Sequence, residues 1–450
     1  MSLLGEQRIR TLIEGALAAC KEADQAEVLL STSDEALTRF ANNTIHQNVA
    51  ERNSSLHVRA VIGKRIGVAR ANSLEAQAIR EAAESACTIA RYSEENPEFV
   101  TLPAPSGAVA AIKEAFSEDT AAATPERRAR AVQAIISRAE ADKLIAAGAF
   151  STMAEEVAAA NSLGVFAYQP STSAEATLVV MGDSSSGYAD RAATDVSTID
   201  AEGMAAEACG RATRSAQPRD LDPGTYPVVL EPYAVAEMLD YLAYVGFGAT
   251  ALQEGRSFMA EKMGQRVAAE AVGIYDDGLD PRCFPMPFDF EGVPRRRVAL
   301  IEQGIARGVV YDSFTASRGN VSNTGHALPA PNSMGPMPGH LHIEPGQATL
   351  QELVAGLDRG VWVSRFHYVN VIQPLETIIT GMTRDGAWWV EGGEVRYAIK
   401  NLRFSQSVLD ALASTEAIGR ELKLQRGWFG GSLVPALRLG RFAFTGKTEF

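Results

Sequence analysis

A chain of 450 residues, 46% apolar and 22% charged, is long enough for two hydrophobic cores rather than one. Its net charge of -13 works against a phosphate backbone, which needs clustered Lys and Arg, so nucleic acid is excluded as a partner. No run reaches the roughly 18 apolar residues of a membrane span, Met1 to Arg8 has no apolar stretch of signal-peptide length, and Cys20, Cys87, Cys209 and Cys283 lack paired spacing, so the expectation is a cytoplasmic protein with reduced thiols and no membrane contact.

Arg8 to Ala23 predicts an amphipathic helix with Leu12, Ile13, Ala16, Leu17 and Cys20 on one stripe. The period then changes to two. Glu27 to Ser31, Glu35 to Ala41, Ile45 to Glu51 and Ser55 to Ile62 alternate apolar and polar residues, with turns at Ser33-Asp34, Asn42-Asn43 and Gly63-Lys64, and Arg65 to Ala71 extends the meander. Asn72 followed by Glu75 predicts a capped helix to Arg91. Glu98 to Gly107 is a proline-containing connector, and Thr124-Pro125-Glu126 opens a helix through Lys143. Leu144 to Met153, Glu155 to Asn161, Gly164 to Gln169 and Ala174 to Met181 read as short strands, Asp183 to Gly187 as a polar loop and Asp200 to Ala216 as a helix. A boundary at Arg219 to Gly224 divides the chain into domains of residues 1–220 and 221–450.

After the Asp222-Pro223-Gly224 turn, Tyr226 to Leu230 predicts a strand, and Val235, Met238, Leu239, Leu242 and Val245 recur at helical spacing up to Gly246 and Gly248. The few polar residues on this apolar helix are Glu237, Asp240, Tyr241 and Tyr244. Glu254 to Val267 reads as a charged helix, Tyr275 to Asp280 as an acidic loop, and Arg297 to Leu300, Gly304 to Val310 and Tyr311 to Ser317 as hairpin strands. Asn320 to Gly339 is a loop containing Thr324-Gly325-His326. His340 to Ile343 and Val361 to Tyr368 are strands flanking a helix from Thr349 to Leu357. Ile378 to Arg384, Ala387 to Glu391 and Glu394 to Ile399 complete a strand-rich region, followed by a helix from Ser407 to Leu422 and a closing strand pair in Ser432 to Phe444.

Four segments carry a family resemblance: Arg39-Phe40-Ala41-Asn42-Asn43-Thr44-Ile45-His46-Gln47, Ala160-Asn161-Ser162-Leu163-Gly164-Val165, Phe288-Asp289-Phe290-Glu291-Gly292-Val293, and the run from Gly381 through Arg384 and Trp388-Trp389 to Glu394. With the apolar helix, they resemble the TldD/PmbA (TldE) family of peptidase subunits. The TldD branch carries a His-Glu-x-x-x-His zinc motif on that helix. The resemblance puts Asp240 and Tyr241 at the first His and the Glu, Val245 at the second His, and Gly430 at a cysteine that completes the site. Valine has no lone pair to offer a metal, and a phenol of pKa about 10 is a poor base at neutral pH.

The chain therefore looks like the metal-free PmbA/TldE type. The resemblance implies an α+β fold of two domains: antiparallel sheets with helices in the first, a bent antiparallel sheet around the central helix in the second. It implies that this chain binds no cofactor, that zinc sits on a TldD-like partner, and that the pair cleaves unfolded or leader peptides in a closed chamber. The partner is that TldD-like subunit or a second copy of this chain. The alternatives are a homodimeric peptide-binding scaffold without proteolysis and an independent metallopeptidase.

Candidate chemistry from the residues themselves is sparse. His340 and His342 share one face of a strand and could gather a metal with His326 or His367 as a third ligand; His326, His340 and His342 are the donor set of the independent-peptidase alternative. Arg384, whose fork could hold a carboxylate or a peptide carbonyl, and His326 are the candidates for substrate contact. Ser184 to Ser186 fit no serine-hydrolase motif, and Gly246-Phe247-Gly248 lacks the third glycine of a dinucleotide loop.

Overall fold

The computed structural model describes residues 3–107 and 109–448. Asn42 and Asn43 both sit at positive φ, 50° and 57°, as a two-residue hairpin requires and asparagine tolerates. They join β1 (Gln25–Ala41) to β2 (Thr44–Ile62), paired antiparallel from Gln25↔Val61 to Ala41↔Thr44. With β3 (Arg65–Ala71), β4 (Ile145–Asn161), β5 (Phe166–Met181) and β6 (Ser186–Ala193), they form a sheet of order β3-β2-β1-β4-β5-β6. Ser33-Asp34, expected as a turn, lies in mid-strand. Both residues pair with β2 on one side and β4 on the other, so the backbone is satisfied without reversing. β4 likewise runs unbroken, and β6 occupies a stretch with no strand signal.

One face of this sheet is covered by two pairs of helices. Val28, Leu30 and Phe40 of β1 and Ala146, Phe150, Ala158 and Ala160 of β4 are buried at even spacing, the period that keeps side chains on one face. α1 (Glu6–Ala19) and α2 (Ala76–Tyr92) cover one half. After the single turn α3 (Glu118–Ala121), α4 (Pro125–Ala141) and α5 (Ala201–Arg214) cover the other. Thr124 caps α4 as expected, accepting from Arg127 N, whereas α2 begins at Ala76 without a side-chain cap. Gly67 and Gly187 allow the helices close approach: a Cβ there would lie 2.2 Å from Ala86 O and 2.0 Å from Ala208 O.

In the second half, β7 (Gly224–Leu230) feeds α6 (Pro232–Gly246), followed by α7 (Ala249–Gln253). Its further strands are β8 (Ile274–Asp276), β9 (Val298–Glu302), β10 (Ile305–Ala306), β11 (His340–Ile343), β12 (Arg359–Gln373), β13 (Ile378–Glu391), β14 (Glu394–Ala398), β15 (Leu402–Ser407), β16 (Thr415–Ile418), β17 (Lys423–Arg426), β18 (Gly431–Val434) and β19 (Leu437–Lys447). The bent sheet takes the form of two. One runs β10-β9-β8-β11-β18-β17; the other runs β12-β7-β19-β15-β13-β14 and curls round so that β12 also pairs with β13. α6 packs against β12 of one and β18 of the other. Val235, Met238, Leu239 and Leu242 are buried there with Leu341, Val363 and Val434.

Several local expectations for this half give way to tertiary context. Glu254 to Val267 is not helical: Gly255 and Gly264, at φ 69° and 77°, turn the chain instead. Tyr311 to Ser317 is not a strand, because Asp312 forms a capping box with Thr315 and opens α8 (Ser313–Gly319). α9 (Leu350–Ala355) holds the place expected of it, but α10 (Val408–Ala413) ends early and the chain re-enters a sheet as β16. β18 and β19 are not a closing pair; they lie in different sheets.

Phe288 to Val293 joins the halves. Phe288 is fully buried against Leu29, Val157, Ala159 and Ala167 on the open face of the first sheet. Asp289 shapes the loop, accepting from the N–H groups of Glu291, Val293 and Ala327 at 3.0, 2.9 and 2.9 Å. Glu291 then reaches Arg59 of β2 at 2.9 Å, and the same guanidinium takes Glu27 of β1 at 2.6 Å.

Candidate functional site

Glu237, Asp240, Tyr241 and Tyr244 lie at spacings of three and four on α6 and so share a stripe. Burial is the main influence on both acids and raises each to about 7; Arg365 opposes the shift at Glu237, and Ser432 and the Trp428 backbone oppose it at Asp240. Ser432 Oγ lies 3.3 Å from Asp240 Oδ1. The Tyr241 hydroxyl donates to the carbonyl of Val369. Its ring meets Trp428 edge-on at 4.8 Å, and Tyr244 meets the same indole at 5.8 Å. Trp428 is 53% exposed, Tyr244 is half exposed, and Val245 is buried. The stripe is thus an aromatic surface over two carboxyls that titrate near neutrality.

These residues do not fit a zinc ion. Asp240 is the one anionic donor among the three motif positions, Tyr241 is committed to a backbone carbonyl, and Val245 offers no lone pair. Gly430 leaves no room for a fourth donor, since a Cβ there would lie 2.1 Å from Gly339 O. Among the described residues, no group of three or more His, Cys, Asp or Glu is placed to hold a metal.

The structure commits the three candidate histidines to hydrogen bonds around Asp276 and the His340 backbone. His326 is 0% exposed, with Nε2 2.8 Å from Asp276 Oδ1 and Nδ1 3.0 Å from Thr324 Oγ1. His340 gives its backbone N–H to Asp276 Oδ2 at 2.7 Å and its Nε2–H to Phe284 O at 3.0 Å. His342 gives Nδ1–H to His340 O at 2.9 Å and stacks on Tyr275. Burial lowers His340 to about 3, so its ring is neutral. Burial also pushes Asp276 up, but His326, bonded to Oδ1, and the nearby Arg295 outweigh it and hold the carboxyl well below the usual range. His367 stands apart on β12 beside Tyr368. The donor set expected for an independent peptidase is therefore not assembled, and His326, expected to meet substrate, is enclosed around Asp276.

Arg384 is placed differently. Its neighbour Asp385 is claimed by Arg365, whose Nε donates at 2.6 Å, and Glu391 pairs with Arg359 at 3.2 Å. Arg384 keeps only a 3.9 Å approach to Asp385 Oδ1 and lines a cavity of about 620 Å³ at the junction of the two halves.

A second junction network had no sequence signal. Tyr233, in the first turn of α6, donates its hydroxyl to Glu207 of α5 at 2.7 Å. Lys423 of β17 donates to the Tyr233 oxygen and lies 3.2 Å from Glu207. Arg191 and Arg211 also pair with Glu207, and Arg211 with Glu231. Burial lowers Lys423 to about 8 against the pull of Glu207. More than two hundred residues separate Glu207 from Lys423 in the chain, too far for any local pattern to link them.

Comparison with known proteins places this architecture. The PmbA/TldA metallopeptidase C-terminal domain matches residues 223–446, and the PmbA/TldA metallopeptidase domain 1 matches residues 26–90. The chain belongs to the TldD/PmbA family. A metalloprotease of Methanocaldococcus jannaschii is 26% identical over 238 residues, so the chain spans about half that relative's length, 52% of either protein. Metalloprotease PmbA of Escherichia coli O157:H7 is 24% identical over 460 residues, covering 96% of this chain and 95% of its own. The crystal structure of TldE from Thermococcus kodakarensis superposes with a TM-score of 0.89 at 23% identity, over 97% of this chain and all of that one, and shows that the fold is shared throughout.

Proposed function

We propose that this chain is the zinc-less subunit of a TldD/TldE-type metallopeptidase. It shapes the chamber and binds unfolded or leader peptide, while a TldD-like partner supplies zinc, base and water in the cytoplasm. The observation that carries the proposal is the α6 stripe, where Val245, at the place of a metal-binding His in the resemblance, is buried and aliphatic, and Tyr241, at the place of the Glu base, is tied to Val369 O. In this role the exposed rings of Trp428 and Tyr244 meet peptide side chains, because aromatic surface binds varied sequences at little entropic cost.

The test is zinc content and cleavage of a fluorogenic unfolded peptide, measured on this chain alone and mixed with a TldD-like subunit. Cleavage that appears only on mixing, with zinc carried by the partner, supports the proposal. Stoichiometric zinc on this chain together with activity abolished by Asp240→Ala overturns it. Peptide binding without any activity on mixing favours a homodimeric scaffold instead.

A further inference from the structure

The cavity beside Arg384 shares no lining residue with the α6 stripe. Its walls come from both halves: Gly182 to Ser186, from the end of β5 into β6, and Ser215, Gln217 and Pro218, after α5, face Arg384 to Ala387 of β13 and Ile399 to Asn401. Two residues of the lining, Gln217 and Asp385, hold φ of 53°, a left-handed conformation that costs non-glycine residues about 1 kcal/mol or more.

Two polar groups of the cavity, Arg384 and Ser215, lack a close partner among the described residues. Arg384 lacks a close carboxylate, since Arg365 occupies Asp385. Lys400 reaches Asp220 at 3.2 Å and adds a second cation to the lining. Ser215 is only 8% exposed, and its Oγ has no hydrogen-bond partner among the described residues, a deficit that buried hydroxyls rarely carry. Ser184, Ser185 and Ser186 add hydroxyls to the same wall, and Asp183 is an exposed opposing charge. Met181, Pro218, Ala387 and Ile399 supply apolar surface.

We infer that this cavity binds a carboxylate carried on an apolar body, with Arg384 gripping the carboxylate and the serine wall completing its hydrogen bonds. One guanidinium fork matches the two oxygens of a monoanion. Asp183 disfavours a dianion such as phosphate. The volume of about 620 Å³ lies in the range of small-ligand pockets and suits the last residues of a peptide or a free aliphatic acid. The site does not rest on the zinc-less role: if no TldD-like partner exists, its chemistry is unchanged.

The test is calorimetric titration of the full chain with N-acetyl-Ala-Ala-Leu as the free acid and as the C-terminal amide. The free acid is expected to bind at least about tenfold more tightly than the amide. Arg384→Gln should abolish that difference, Arg384→Lys should leave an intermediate preference because the charge remains without the fork, and Ser215→Ala should weaken the acid a few-fold. Circular dichroism melting establishes that each variant is folded. Competition by 4-methylpentanoate at equal affinity identifies a free acid as the natural ligand class, and at least tenfold tighter binding of the tripeptide identifies a peptide C-terminus. Equal binding of acid and amide, an unchanged preference in folded Arg384→Gln and Arg384→Lys, or no binding of either probe at millimolar concentration would overturn the inference.

Discussion

Gly430 approaches Gly339 so closely that a Cβ on Gly430 would lie 2.1 Å from the Gly339 carbonyl oxygen. Both partners are backbone, and Gly339 also bonds Gly431 N at 2.9 Å, which leaves little freedom to retreat. Gly430→Cys is therefore expected to destabilise the protein by about 1–3 kcal/mol, as overpacking does. Installing it together with Asp240→His, Tyr241→Glu and Val245→His should not create stoichiometric zinc binding. Urea unfolding checks the first expectation and metal analysis the second.

The two carboxyls of the α6 stripe make a pH prediction. Glu237 and Asp240 have folded pKa values of about 7, above the usual unfolded values of about 4. Between those limits the folded state holds protons that the unfolded state has released, so their contribution to stability falls as pH rises from about 4 to about 7. Buried histidines lowered from their ordinary value, such as His340, act in the opposite sense below about 6.5, so the informative quantity is the difference between variant and wild type. Asp240→Asn should stabilise the protein by about 2–4 kcal/mol at pH 8 and change it little at pH 4. Urea midpoints at the two pH values decide it.

Arg59 pairs with both Glu27 and Glu291 at the junction of the halves. Arg59→Ala leaves two buried carboxylates facing each other and is expected to cost about 3–5 kcal/mol. Adding Glu27→Gln and Glu291→Gln should recover much of that loss. A triple-mutant cycle by chemical unfolding tests the coupling, and additive losses would refute it.

His326 is assigned to support rather than chemistry. His326→Ala removes the ring that holds Asp276 Oδ1 in a site with no solvent exposure, and should cost about 3 kcal/mol or more. The folded variant, mixed with a TldD-like partner, should cleave peptide at the wild-type rate. A lowered rate at full folding would move His326 into the substrate path.

What the residues revealed unaided was local. The 3–4 spacing of Val235, Met238, Leu239 and Leu242 specified α6, Asn42-Asn43 specified a hairpin, Thr124-Pro125 specified the start of α4, and Val245 could be recognised as no metal ligand from its chemistry alone. Each rests on groups within one or two turns of backbone. Tertiary structure alone decided that Ser33-Asp34 extends a strand, that β18 and β19 enter different sheets, that His326 is enclosed around Asp276, and that Arg384 opens onto a cavity while Arg365 takes Asp385. Those outcomes depend on burial and on partners tens to hundreds of residues away. The free energy of satisfying a buried polar group is set by what surrounds it, not by what adjoins it in the chain.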